Sequence, residues 1–200
     1  MKNKDYTSKD LYFFFKRVFD LFFSILLFII LLIPMFIIAI IIKVTSYGSI
    51  IYWSKRIGKN NVIFNMPKFR TMIIETPPLA THLLNRPELY LTPIGRFLRI
   101  YSLDELPQLW SVFKGDMSFV GPRPALFNQK DLIKLRTKYF VHKIIPGITG
   151  LAQINGRDEL TIREKVKFDI EYYEIRSLHQ DFKIIFQTIK KVCINQGVNH

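Results

Sequence analysis

The chain has a single cysteine, Cys193, in 200 residues. No disulfide can form within it and no cysteine spacing could hold a metal, so a reducing compartment follows. Acidic residues are also scarce. Asp and Glu total 16 against 29 Lys and Arg, and the formal charge of +13 calls for an anionic partner: nucleic acid, lipid headgroups or phosphorylated substrates. Nucleic acid is the weakest of these, because the basic residues form no helical stripe with interleaved aromatics and no nucleic-acid module is present. Repeats and low-complexity tracts are absent, as are a nucleophilic serine elbow, a P-loop and a cysteine–histidine pair. With 49% hydrophobic and 14% aromatic residues, disorder is excluded, and the length suits one domain with a real core.

Charge is missing altogether from Leu21 to Ile42, LFFSILLFIILLIPMFIIAIII. As a helix this run would be about 33 Å long, enough to cross a bilayer. It is too long for a signal peptide, and no small-residue cleavage site follows it. Pro34, near its middle, removes a backbone hydrogen bond and bends or breaks a helix. The flanks are equally basic, with Lys2, Lys4, Lys9, Lys16 and Arg17 before the run and Lys43, Lys55, Arg56 and Lys59 after it. Charge therefore does not choose which end stays in the cytoplasm. A spanning helix and a re-entrant one that turns at Pro34 are both compatible with these facts.

Beyond Lys43 the pattern changes. Ile50–Trp53 and Val62–Phe64 are β-prone runs around Gly58-Lys-Asn-Asn61, which predicts a hairpin. The basic stretch Pro67–Met72, with Lys68 and Arg70, follows directly. Pro77, Pro78, Pro87 and Pro93 exclude long helices from residues 75–93, leaving a surface loop with a short helix near Ala80–Leu84, where His82 reads as structural. Thr92 and Pro93 suit a helix start, with Thr92 as the cap and the helix aiming Arg96 and Arg99 at Asp104.

The stretch Ser102–Pro124, SLDELPQLWSVFKGDMSFVGPRP, concentrates the chemistry. It places Asp104 and Glu105 side by side at the start of a helix expected over 102–113. Ser102 and Glu105 also fit a capping box, a structural reading that competes with a chemical one. The two are compatible if the capped helix end favours nearby phosphate and keeps Asp104 ionised. In Gly121-Pro-Arg-Pro124 each proline pins its own φ and restricts the residue before it, so Arg123 is aimed at low entropic cost.

Residues 129–141 read as a helix, Pro146–Gly150 as a turn-rich loop and Leu151–Asn155 as a short strand, with Gly156-Arg157 after it. A second capping box, Thr161–Glu164, opens a helix with Ile162, Val166, Asp169 and Tyr173 on one face. Asp169 is thus a carboxylate on an apolar side, and it needs a partner such as an arginine or a ligand. Over 181–193, Phe182, Ile185, Phe186, Ile189 and Val192 make a stripe whose commoner meaning is core packing and whose alternative is a membrane interface. Arginines that fork onto phosphate oxygens, with carboxylates that hold Mg²⁺ between phosphates, form a phosphoryl-transfer set; a carboxylate can also attack phosphorus itself.

Seven blocks in order carry a family resemblance: Lys16-Arg17-x-Phe19-Asp20, Lys68–Met72, Leu91–Arg99, Ser102–Gln108, Lys114–Pro124, Pro146–Gln153 and Asn155–Arg157. From Lys16 to Asp181 the chain resembles the small, single-domain members of the bacterial sugar transferase family, the monotopic phosphoglycosyl transferases. The resemblance implies an α+β, mostly helical fold. Residues 1–47 would be a basic segment and a re-entrant membrane helix broken near Pro34. Residues 48–200 would be a cytoplasmic catalytic domain with a small β-hairpin and interfacial amphipathic helices. The family breaks its helix at a Ser-Pro pair; here the pair is Ile33-Pro34.

The implied reaction moves a sugar-1-phosphate from a UDP-sugar to polyprenyl (undecaprenyl) phosphate in the inner membrane. UMP is released, and assembly of a surface glycan or a glycoprotein glycan begins with downstream glycosyltransferases as partners. Asp104 would be the nucleophile and carry the phosphosugar, and Asp104 with Glu105 would hold Mg²⁺. Arg99, Arg123 and Arg157 would neutralise phosphates, with Lys68, Arg70 and Asp169 in the same phosphate and nucleotide site. Two alternatives stand beside this: a membrane-anchored basic scaffold that binds anionic lipid or a partner enzyme, and an enzyme that forms the glycosidic bond directly and releases UDP.

Overall fold

The computed structural model describes residues 3–77, 86–156 and 159–193. The run of Leu, Ile and Phe satisfies its backbone groups internally as one long helix, α1 (Asn3–Thr45), and is long and apolar enough to cross a membrane. Pro34 lies inside α1, and helical backbone continues on both sides of it. Burial follows one stripe, Lys16, Asp20 and Ser24 and then Ile38 and Ile42, while Ile29, Ile33 and Phe36 are exposed.

Both ends of that stripe dock on the same compact body. At the first end Lys16 Nζ meets Asp181 at 2.6 Å, and Asp20 Oδ1 accepts from Ser118 Oγ and the Phe119 amide, each at 3.1 Å. Arg17 donates to the carbonyls of Val112 and Phe113 at 2.8 and 2.7 Å. At the second end Ile38 and Ile42 are buried with Phe69 and Leu98.

Strands β1 (Ile51–Ile57) and β2 (Ile63–Phe69) pair antiparallel, Ile51 opposite Phe69 and Ile57 opposite Ile63. This is the expected hairpin with longer strands. Its connection places Asn60 and Asn61 at φ 56° and 61°, a left-handed conformation that Asn tolerates. Helix α2 (Gly95–Ile100) starts later than Thr92 and Pro93 predict. Backbone pairing explains the delay: the Thr92 amide donates to the Thr71 carbonyl at 3.0 Å, so Thr92 is buried in an extended bridge and its side chain caps nothing.

The body is completed by α3 (Leu109–Lys114), β3 (Ser118–Val120), α4 (Lys130–Lys138), β4 (Gly147–Thr149), α5 (Leu151–Ile154), α6 (Ile162–Ile175) and α7 (Leu178–Cys193). Two local readings are corrected here. Residues 147–149, expected to be a turn-rich loop, form β4 and pair parallel with β3, and 151–154, expected to be a strand, are helical. A Cβ on Gly147 would lie 2.1 Å from the Gly121 amide nitrogen, so the β3–β4 approach depends on the absence of a side chain. No local propensity announces such a long-range pairing.

The rotation of α6 and α7 also departs from the sequence pattern. On α6 the buried residues are Val166, Asp169 and Tyr172; Ile162 is exposed. The expected capping box is present, the Glu164 amide donating to Thr161 Oγ1 and the Thr161 amide to Glu164. On α7 the buried face carries Asp181 and Ile184, and Ile185 packs against the core beside them, whereas Phe182, Phe186 and Ile189, also read as core, are exposed. The cause is polar. Asp181 must face Lys16 and the Tyr172 hydroxyl (2.7 Å), and that turns the phenylalanines outward. Val120, Ile144, Ile154, Tyr172 and Ile184 form a main core beneath β3.

Candidate active site

The acid pair does not begin an α-helix. Residues Leu103–Gln108 form a 3₁₀ segment containing Pro107, and only then does α3 start. Pro107 has no amide and its ring crowds the carbonyl of Leu103, which disfavours a regular α turn there. Ser102 has φ 54° and makes no side-chain cap, so the predicted capping box at Ser102–Glu105 is absent. Glu105 faces cations instead: its Oε1 accepts from Lys68 Nζ and from Arg123 Nη2, both at 2.7 Å. Lys68, from β2, also lies 3.5 Å from Asp104 Oδ2.

Asp104 is 8% exposed, at the floor of this cluster. Burial pushes its carboxyl above the ordinary value of 3.8, and neighbouring Glu105 adds to this, while Lys68, Arg99 and Arg123 pull the other way. The expected helix end is not there to keep Asp104 ionised; Lys68, Arg99 and Arg123 favour its anion, and burial outweighs them. Arg99, on α2, donates from Nε to Thr71 Oγ1 at 2.9 Å, which fixes the arm that carries its charge. Arg96 is exposed on the same short helix.

Arg123 projects from a loop held by its carbonyls. Pro122 O accepts from the Gly147 amide at 3.0 Å, Arg123 O from Arg136 Nη1 at 2.7 Å, Pro124 O from Arg56 Nη1 at 3.1 Å and Ala125 O from the Ile57 amide at 2.9 Å. With two prolines fixing φ and four consecutive carbonyls bonded, the backbone under Arg123 has little freedom.

Of the residues the sequence nominates, Asp104, Glu105, Lys68, Arg99 and Arg123 converge. Two do not. Arg70 is buried and donates to the carbonyls of Ser46 and Tyr47 and to Ser46 Oγ, where it ties off the C-terminal end of α1 and complements its dipole. Gly48, at φ 118°, makes room for it: a Cβ there would lie 2.0 Å from Arg70 Nη1. Asp169 lies behind the cluster, paired with Arg136. Arg157 and His82, and the Ala80–Leu84 segment, lie outside the described residues.

Sequence reasoning missed Arg136, Arg56 and Thr71. For Arg136 a signal was available, since it stands four residues after Leu132 on the buried face of α4. Among the described residues no group of three or more His, Cys, Asp or Glu could hold a metal by itself. Two adjacent carboxylates suit Mg²⁺, which binds through one or two carboxylates and completes its shell with water and substrate phosphate.

A family model described as bacterial sugar transferase matches residues 11–195. The undecaprenyl-phosphate glucose phosphotransferase of Komagataeibacter xylinus is 42% identical over 187 residues, 88% of this chain but only 35% of the relative's own length. The exopolysaccharide production protein ExoY of Sinorhizobium fredii is 36% identical over 198 residues, covering 91% of this chain and 87% of the relative. An uncharacterised sugar transferase of Bacillus subtilis, EpsL, is 40% identical over 185 residues, covering 92% and 89%.

Proposed function

The chain belongs to the bacterial sugar transferase family, and we propose that it is a phosphoglycosyl transferase that moves a sugar-1-phosphate from a UDP-sugar to undecaprenyl phosphate through an aspartyl phosphosugar intermediate. The observation that carries this reading is a buried carboxylate, Asp104, set among Lys68, Arg99 and Arg123 with Glu105 beside it. Asp104 attacks the sugar-bearing phosphorus. An Oδ–P bond forms, the P–O bond to the α-phosphate breaks, and UMP departs with that oxygen. An oxygen of the lipid phosphate then attacks the same phosphorus and returns Asp104 as carboxylate. The cations face the phosphate oxygens, where positive charge counts most in a water-poor site. Mg²⁺, held by Asp104 and Glu105, would supply charge neutralisation at the diphosphate.

Membrane geometry supports a lipid substrate. A spanning helix separates its flanks by roughly 30 Å of hydrocarbon, yet residues 16–20 and 38–46 of this chain dock on one body. We read α1 as re-entrant, entering and leaving a single leaflet on the cytoplasmic face of the inner membrane. The exposed Phe182, Phe186 and Ile189 of α7 would rest in the same interface, with Phe182 5.2 Å from the ring of Phe19. With Cys193 replaced by serine, Asn3→Cys and Asn60→Cys should both resist a membrane-impermeant thiol reagent applied to intact cells. Labelling at position 3 but not 60 would mean a spanning helix.

The reaction itself is tested by incubating the purified chain with a set of UDP-sugars, Mg²⁺ and undecaprenyl phosphate and identifying the nucleotide released. UMP together with a lipid-linked sugar diphosphate is the expected result. UDP would assign direct glycosidic transfer, and no nucleotide with any sugar would leave the basic scaffold reading.

A further inference from the structure

Arg136, on α4, divides its guanidinium between two partners. Nε donates to Asp169 Oδ2 at 2.9 Å with Nη2 in ion-pair contact with the same oxygen at 2.7 Å, and Nη1 donates to the Arg123 carbonyl at 2.7 Å. Asp169 is 2% exposed and Arg136 9%. A buried guanidinium has donors left over after one carboxylate oxygen, and here the Nη1 donor goes to the peptide that carries the site arginine. The other three carbonyl anchors of the loop, from Gly147, Arg56 and Ile57, attach at Pro122, Pro124 and Ala125. At Arg123 itself the carbonyl is held by Arg136.

We propose that Arg136, oriented by Asp169, is a positioning residue for Arg123, fixing the peptide from which that guanidinium is aimed at Glu105 and the substrate phosphates. The inference deepens the phosphoglycosyl transferase reading and rests on it. A planar fork is required because one group must satisfy a carboxylate and a carbonyl in different directions. Lysine keeps the charge that Asp169 needs and loses the fork. Asp169 thus acts at one remove, through Arg136 and then Arg123, without touching substrate.

The test is a double-mutant cycle on the full chain, comparing wild type, Arg136→Lys, Arg123→Ala and the double variant. UMP release, affinity for UDP with Mg²⁺ and thermal midpoint are measured for each. Arg136→Lys should lower kcat/KM about tenfold in the parent while costing less than about twofold once Arg123 is gone, because coupled residues are non-additive and small misplacements of a site group are expensive. Equal losses in both backgrounds, or losses that follow the thermal midpoint, overturn the proposal. If Arg136→Lys does not fold, Asp169→Asn, which keeps side-chain volume, runs through the same cycle with the same expected outcome. Should the parent release no UMP, the catalytic reading falls, and the UDP-affinity arm still decides whether Arg136 acts through Arg123.

Discussion

Asp104→Asn should lower UMP release by about 10³-fold or more, because an amide cannot form the covalent intermediate and the later steps have nothing to act on. Asparagine has the same shape, so the loss should come without unfolding. Mass spectrometry gives a second check: after exposure to UDP-sugar, the parent protein should gain the mass of a sugar phosphate and the variant should not. Turnover within about tenfold of the parent would exclude Asp104 as nucleophile.

The raised carboxyl of Asp104 adds a pH dependence whose signs can be stated. Burial places its folded value above the ordinary 3.8. The nucleophile must be anionic, so the rate of the first half-reaction should climb with pH through that folded value and then level off. Stability runs the other way. A carboxyl with a raised folded pKa contributes stability that is fully present below its unfolded value and is lost as pH rises through the folded value. Asp104→Asn should therefore melt relatively higher than the parent as pH rises from below 3.8 toward neutrality. Thermal melts of both proteins across that range check this; a variant that loses ground as pH rises would contradict the direction.

Glu105→Gln is the second large effect. One oxygen of Glu105 accepts from Lys68 and Arg123, both at 2.7 Å, while Lys68 stays 3.5 Å from Asp104. Glu105 thus draws Lys68 away from the nucleophile and holds Arg123 in place. Glutamine accepts a hydrogen bond without neutralising either cation, and Lys68 would then close on Asp104 and engage the oxygen that must attack. Activity should fall about 10²-fold, as expected when site groups are misplaced by roughly 1 Å. Stability should fall by about 2 kcal/mol, since a charge-assisted pair with little solvent access is broken from one side. A higher Mg²⁺ requirement should accompany the loss. A Glu105→Gln enzyme with parental kcat and unchanged Mg²⁺ dependence would remove Glu105 from the site.

Much of the site was legible because each of its residues stands in a short local pattern. Asp104 and Glu105 are adjacent, Arg123 is locked between prolines, and Lys68 and Arg99 fall in blocks with a family pattern. The hairpin was legible through Gly58 and the two asparagines that accept a left-handed turn. The capping box at Ser102 was a false signal, although the same pattern at Thr161 was a true one. The two differ in what surrounds the glutamate. Among the described residues Glu164 hydrogen-bonds to Thr161 at its own helix end, whereas Glu105 lies within reach of two cations from distant segments, and charged partners outcompete a backbone amide.

By itself the sequence determined the uncharged run of α1, the acid pair, the basic balance and membership of the family, since each depends on composition or on residues a few positions apart. The tertiary structure decided which way each element turns. Asp181, 165 residues from Lys16, sets the rotation of α7 and sends its phenylalanines outward. Ser46 and Tyr47 claim Arg70 from the site, and Asp169 claims Arg136, which in turn holds Arg123. Helical periodicity specifies that a helix has two faces, but a buried charge has to find its counterion, and where that counterion lies is settled only when the whole chain has folded.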